Sequence, residues 1–116
     1  MSEIEIDELA SRLGQVVVVD VRDPSEYDGS LGFGCDPRQG HVPGAISLPV
    51  GDLLALDADE LEARLGVPAG AEVIVYCHSG SRSSAAAQRL QAHGYYARNY
   101  EGSWHEWSRT ELPLES

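Results

Sequence analysis

Positive charge is what this chain lacks most. Eight Lys and Arg residues stand against nineteen Asp and Glu, for a formal net charge of −11 at pH 7. Nucleic acid and anionic lipid both call for a basic protein surface, so neither is expected as a partner. An anionic substrate would have to be held by local groups against that global field. No apolar run approaches the ~20 residues of a membrane helix. The start, Met-Ser-Glu-Ile-Glu-Ile, has neither the basic end nor the apolar core of a secretory signal. The expectation is a soluble, cytoplasmic monomer. Two cysteines, Cys35 and Cys77, are too few for a disulfide scaffold, and their surroundings differ. The four histidines, His41, His78, His93 and His105, are scattered without zinc spacing, so no metal or other cofactor is expected. Repeats, linkers and low-complexity segments are missing as well. What remains is 116 residues, 42% hydrophobic and 23% charged, the composition of one globular domain over residues 1–116.

Two unbroken β-branched runs dominate the pattern. Val16-Val17-Val18-Val19 and Val73-Ile74-Val75-Tyr76 suit parallel strands buried on both faces. Ile4-Glu5-Ile6 alternates like a short edge strand, Ala45 to Leu48 reads as a strand closed by Pro49, and Tyr95 to Tyr100 as a last strand. Helices are expected from Glu8 to Leu13 behind an Asp7 cap, from Asp23-Pro24-Ser25-Glu26, and from Asp57-Ala58-Asp59-Glu60 onward. Each of the last two begins with a capping box. A further helix is expected from about Ser83 to His93, ended by Gly94. Residues 28–44 hold five glycines and two prolines and form a long loop. Strands alternating with helices predict an α/β fold, a central parallel sheet with helices on both faces.

In such a sheet, ligands bind at the carboxyl ends of the strands. Cys77 lies there, between a strand and a helix start. A helix N-terminus offers unpaired N–H groups and partial positive charge, and a turn through Gly80 aims further N–H groups inward. Arg82 adds a formal charge, His78 is a second candidate for one, and Ser79, Ser81, Ser83 and Ser84 bring hydroxyls. All of this favours a thiolate over a thiol. A cysteine inside a strand reads as a small core residue. One followed by His-Ser-Gly-Ser-Arg-Ser at a helix start reads as reactive.

Four segments stand out: Asp20-Val21-Arg22-Asp23-Pro24-Ser25-Glu26-Tyr27, Gly40-His41-Val42-Pro43-Gly44-Ala45-Ile46, Tyr76-Cys77-His78-Ser79-Gly80-Ser81-Arg82-Ser83-Ser84, and Tyr100-Glu101-Gly102-Ser103-Trp104-His105-Glu106-Trp107. Together they resemble the rhodanese sulfurtransferases, and the order and spread of the four segments carry the resemblance. The last is similar to the C-terminal signature of thiosulfate and mercaptopyruvate sulfurtransferases. The resemblance implies a rhodanese-like fold. It implies a Cys77 that takes a sulfane sulfur from thiosulfate, or a donor such as 3-mercaptopyruvate, and passes it to cyanide or a thiol. Thioredoxin-like and sulfur-carrier proteins are further acceptor candidates. The active-site loop is then His78, Ser79, Gly80, Ser81, Arg82 and Ser83. Two alternatives come with the fold. One is a non-catalytic module that binds a partner or senses redox state. The other is a phosphatase or arsenate reductase, whose loop has seven residues from cysteine to arginine. Here Cys77 to Arg82 is six, a ring suited to one sulfur rather than to three phosphoryl oxygens.

The supporting residues carry paired readings. Asp20 either orients the loop or Arg22, or only caps its strand. Arg22 is expected to meet Asp23 or Glu26 at the surface, a weak pair. Arg82 either faces substrate or braces the loop through a carboxylate such as Asp20. Some thiosulfate-using relatives are basic where this chain has Glu26, and Arg38 is the candidate to supply that charge. His41 is expected to hold its turn through a ring N–H. His78 either tunes Cys77 or meets the substrate, or else faces solvent. Trp104 and Trp107 are expected in the core, with His105 reaching toward the pocket. Cys35 is read as an exposed thiol, or as a resolving partner if its loop folds over Cys77.

Overall fold

The computed structural model describes residues 2–116. The strands are β1 (Ser2–Glu3), β2 (Val17–Asp20), β3 (Ile46–Ser47), β4 (Glu72–Tyr76) and β5 (Tyr96–Asn99). The helices are α1 (Ile6–Ser11), α2 (Pro24–Tyr27), α3 (Val50–Ala55), α4 (Ala58–Leu65), α5 (Ser81–Ala92) and α6 (Ser103–Trp107). The strands form one sheet in the order β1-β5-β4-β2-β3, and every pairing in it is parallel. Helices cover both faces, as the α/β pattern predicts.

The pleat sorts the valine runs. Val19, Val73, Val75 and Ala97 point to one face, where Leu53 of α3, Leu61 and Leu65 of α4, and Ala86, Ala87 and Leu90 of α5 close over them. Val18, Ile74 and Tyr76 point to the other, against Leu9 of α1 and Trp104 and Trp107 of α6. Successive strand side chains face opposite ways, so a strand buried on both sides must be apolar throughout. Both tryptophans are fully buried, as expected.

Several boundaries differ from the sequence reading. The edge strand falls at Ser2–Glu3, two residues early; Ile4 still enters the core and its N–H donates to the Asn99 carbonyl. Helix α1 starts at Ile6 behind Glu5, not Asp7, because Leu9 N–H already reaches the Glu5 carbonyl. Helix α3 has no counterpart in the sequence reading. Pro49 stands just before it, Gly51 weakens its pattern, and only Leu53 is buried. Both expected capping boxes form, at Asp23/Glu26 and Asp57/Glu60.

The connection from β2 runs to β3 on one side of the sheet, and that from β4 runs to β5 on the other. The crevice between β2 and β4 is therefore the switch point, where α/β sheets bind ligands. Its floor is a buried polar cluster. Arg22 is 1% exposed and pairs with the fully buried Asp20, with Nη2 2.7 Å from Oδ2. This corrects the expectation of a surface pair with Asp23 or Glu26. Two aromatic rings, Tyr76 and Trp104, flank the guanidinium at 5.6 and 5.0 Å, a cation–π setting. The Tyr76 hydroxyl donates to Asp20 Oδ2 at 2.7 Å and accepts from Val42 N–H at 3.0 Å. Burial, with the Asp20 charge, pushes the Tyr76 hydroxyl well above its ordinary value, so it stays a donor. Arg22 Nη2 also donates to the Gly40 carbonyl at 2.6 Å.

Removing one partner of a buried pair leaves an uncompensated charge. Asp20→Ala should cost about 3–5 kcal/mol in urea unfolding. A loss below about 1 kcal/mol, the range of exposed pairs, would contradict the role given to this cluster.

Candidate active site

Cys77 follows the central strand β4 directly, and α5 begins four residues later at Ser81. The tight reversal between them needs Gly80, whose φ of +102° lies in the region closed to most side chains. An added Cβ there would also press on the Glu101 carbonyl at 3.0 Å. This turn points the Gly80 N–H at the Cys77 sulfur, 3.0 Å away. Ser83 Oγ lies 3.4 Å from the same sulfur. Its hydroxyl is also 3.2 Å from the Gly80 carbonyl, but that carbonyl already accepts from Ser84 N–H and Asn99 Nδ2. When Cys77 is ionised its sulfur can only accept, and the Ser83 hydroxyl is then the donor of that contact.

The loop carbonyls face the other way. Cys77 O accepts from Trp104 N–H and His78 O from His105 N–H, each at 2.9 Å. Both donors belong to α6. Ser103, at the head of that helix, has φ +55°, rare for a non-glycine residue. In that conformation its hydroxyl accepts from Cys77 N–H at 3.1 Å and donates to the Tyr100 carbonyl at 2.8 Å. With its carbonyls tied outward, the loop turns N–H groups inward as an anion nest.

Cys77 is 1% exposed. Burial alone pushes its thiol up. The Ser83 hydroxyl and the N–H groups of Ser83, Gly80 and Ser79 outweigh burial, and the thiol sits below its ordinary value. Hydrogen bonds are thus the main stabilisers of the anion, and the Arg82 guanidinium attracts it as well.

The expected cations are otherwise engaged. Arg82 pairs with Glu26, at 2.9 and 3.3 Å. It braces the loop, as one reading held, but through Glu26 and not Asp20. Burial pushes the Glu26 carboxyl up, but Arg82 and the Asp23 N–H bring it below the ordinary range. Arg38, the candidate to supply charge for the substrate, donates to the carbonyls of Trp107 and Ser108. Asp20 and Arg22 form the floor beneath the loop. His41 holds its turn as expected, its Nδ1 2.7 Å from the Tyr27 carbonyl and its ring stacked on Tyr27 at 3.7 Å.

His78 faces neither Cys77 nor open water. It stacks on Phe33 at 3.9 Å, and its Nε2 lies 3.0 Å from Asp36 Oδ2. The long loop 28–44 therefore folds against the active-site loop. A cleft of about 210 Å³, lined by Glu26, Leu31 and Phe33 among others, opens beside the Arg82–Glu26 pair. A wider one of about 520 Å³ reaches Ser79 from the side of His105 and Arg109. Ser81 starts α5 as an exposed residue and adds nothing to the nest.

Sequence reasoning missed Ser103 and Asn99. Nothing in a serine or an asparagine marks support for a distant loop; only the run Gly102-Ser103-Trp104, already part of a signature, carried a hint.

The profile of the rhodanese-like domain matches residues 5–110. The thiosulfate:glutathione sulfurtransferase of Saccharomyces cerevisiae is 37% identical over 99 residues, covering 79% of this chain and 64% of that protein. The sulfur carrier protein TtuD of Thermus thermophilus is 37% identical over 110 residues, covering 81% of this chain and 39% of the relative. A solved structure described as a probable thiosulfate sulfurtransferase superposes with a TM-score of 0.86 at 41% identity, over 98% of this chain and 47% of the other. The chain thus spans less than two-thirds of the yeast relative and under half of the other two.

The anion nest makes a measurable demand. In a Cys35→Ser chain, the ultraviolet absorbance of the thiolate should appear with a midpoint below the ordinary thiol value, and Ser83→Ala should move that midpoint up. A midpoint at or above the ordinary value would contradict the hydrogen-bond account.

Proposed function

The chain belongs to the rhodanese-like domain family, and on that premise we propose that it is a sulfurtransferase that carries sulfur as a Cys77 persulfide. The observation that carries the reading is the sulfur held by Gly80 N–H and Ser83 Oγ at the head of α5. In the first step the Cys77 thiolate attacks the outer sulfur of the donor. With thiosulfate, the S–S bond of the donor breaks, sulfite leaves with the electron pair, and Cys77 holds S–S⁻. In the second step an acceptor attacks the outer sulfur. A thiolate becomes a persulfide, cyanide becomes thiocyanate, and the Cys77 thiolate returns. Charge balances in both steps, and no cofactor enters. The nest stabilises anionic sulfur throughout, which is where its fixed N–H groups act.

Loop size and Arg82 speak against phosphoryl chemistry. The ring from Cys77 to Arg82 has six residues, and its arginine is held by Glu26 rather than turned to an oxyanion. A partner-binding module would have no use for a pKa-lowering cradle around its cysteine, and a redox sensor calls for a solvent-accessible one, whereas Cys77 is 1% exposed. Residues 1–116 act in this reading as one rhodanese unit.

Charge narrows the donor. Around the loop, Arg22 is paired with Asp20, Arg82 with Glu26 and Arg109 with Asp36. Among the described residues, these three arginines are each neutralised by a carboxylate and Arg38 is bonded to the Trp107 and Ser108 carbonyls, so a dianion such as thiosulfate gains little from them. Low-charge persulfides and thiols suit the mouth better, with a thiol such as glutathione or a sulfur-carrier protein as acceptor.

Incubation with a sulfur donor should raise the intact mass by one sulfur atom, and Cys77→Ser should abolish the gain. No gain with thiosulfate, 3-mercaptopyruvate or a low-molecular-weight persulfide would sink the proposal. Glu26→Gln frees Arg82 and should raise kcat/KM for thiosulfate about fivefold, the equivalent of ~1 kcal/mol of charge attraction. An unchanged or lower value would show that Arg82 does not limit thiosulfate binding.

A further inference from the structure

We propose that Cys35, Asp36 and His78 form a binding site for a divalent transition metal of the zinc type. The sequence could not show it: two residues lie in the glycine-rich loop and the third follows Cys77. The fold brings their ligand atoms within 4.8 Å of one another. Cys35 Sγ is 4.0 Å from Asp36 Oδ1, and His78 Nε2 is 3.0 Å from Asp36 Oδ2.

The second observation is what these atoms lack. Asp36 has no side-chain exposure and His78 only 13%. Yet Asp36 Oδ2 and His78 Nε2 are both buried without a hydrogen-bond partner. They approach closely, but the geometry of a hydrogen bond between them is absent. Buried polar atoms are seldom left so. A buried carboxylate oxygen and a buried imidazole nitrogen 3.0 Å apart, neither of them hydrogen-bonded, are both available as ligands to one ion.

Chemistry and size agree with a zinc-type ion. Thiolate, imidazole and carboxylate are the donors zinc takes, and tetrahedral coordination sets them about 3.3–3.6 Å apart. Asp36 and His78 are slightly closer than that. Cys35 is on an exposed stretch and closes the remaining gap by a rotamer change or a small shift. Three protein ligands leave one position open. Arg109 bonds Asp36 Oδ1 at 2.9 Å and the Cys35 carbonyl at 2.9 Å. It thereby fixes two ligand residues and leaves Oδ2 free, the part outer-shell groups play in metal sites. With thiolate, carboxylate and guanidinium the cluster is net negative, so a dication is electrostatically welcome. A bound ion ties the long loop to the residue next to Cys77.

Cobalt(II) is the probe, because a thiolate ligand gives it an intense near-ultraviolet charge-transfer band. The titration is done on the full chain and on a Cys77→Ser chain, so that Cys77 cannot supply the thiolate. Both should bind one equivalent with that band, and zinc should displace it. Cys35→Ser should abolish the band in either background. His78→Ala should weaken binding at least as much as loss of an outer-shell partner does, about 10- to 100-fold. No thiolate band at saturating cobalt, or a band that persists in Cys35→Ser, would overturn the site and leave an ordinary His–Asp–Arg pairing. The Cys77→Ser chain cannot form a persulfide, so this outcome is independent of the sulfur-transfer reading.

Discussion

The carboxylate of Asp20 is the point on which the carboxyl edge of the sheet is built. It is fully buried, and a buried charge is tolerable only when paired and hydrogen-bonded. Here it takes the Arg22 guanidinium, the Arg22 N–H and the Tyr76 hydroxyl. Each partner reaches on to something else. Arg22 holds the Gly40 carbonyl, and Tyr76 receives the Val42 N–H. One anion thereby fixes the end of β2, the end of β4 and the far end of the long loop. Cys77 is the next residue after Tyr76, so its backbone starts from a position set by that network.

From there the lowered pKa of the Cys77 thiol follows by local steps. The Gly80 turn and the strained Ser103 orient peptide groups so that carbonyls face α6 and N–H groups face sulfur. Four donors around one buried atom outweigh the burial penalty without the help of a free cation. The arginines nearby brace the structure instead. Arg82 ties the head of α5 to α2 through Glu26, and Arg38 ties the long loop to the end of α6. The proposed preference for a low-charge donor over an extended dianion accords with stabilisation by fixed dipoles and with the formal net charge of −11.

Much of this was legible in the sequence because it rests on local rules. The valine runs marked the buried strands, the Asp-Pro-Ser-Glu and Asp-Ala-Asp-Glu boxes marked helix starts, and Cys77 before Gly80 marked the nest. The failures have a common cause. Arg22 looked like a surface residue because it was matched to the acids that follow it, Asp23 and Glu26, while its partner Asp20 lies two residues before it at the buried end of the strand. Arg82 finds Glu26 across the fold, a pairing no spacing rule reaches. Helix α3 is held mainly by one buried leucine, Leu53, and a short amphipathic turn behind a proline gives little periodicity to read. The Cys35–Asp36–His78 group depends on the long loop folding back, which composition alone does not determine.

Initial-rate kinetics with donor and thiol acceptor varied together test the central claim most directly. If Cys77 holds sulfur covalently between two separate half-reactions, double-reciprocal plots are parallel lines, and the donor-derived product is released before acceptor is added. Intersecting lines, with no product until both substrates are present, would mean direct transfer in a ternary complex and would contradict the persulfide account.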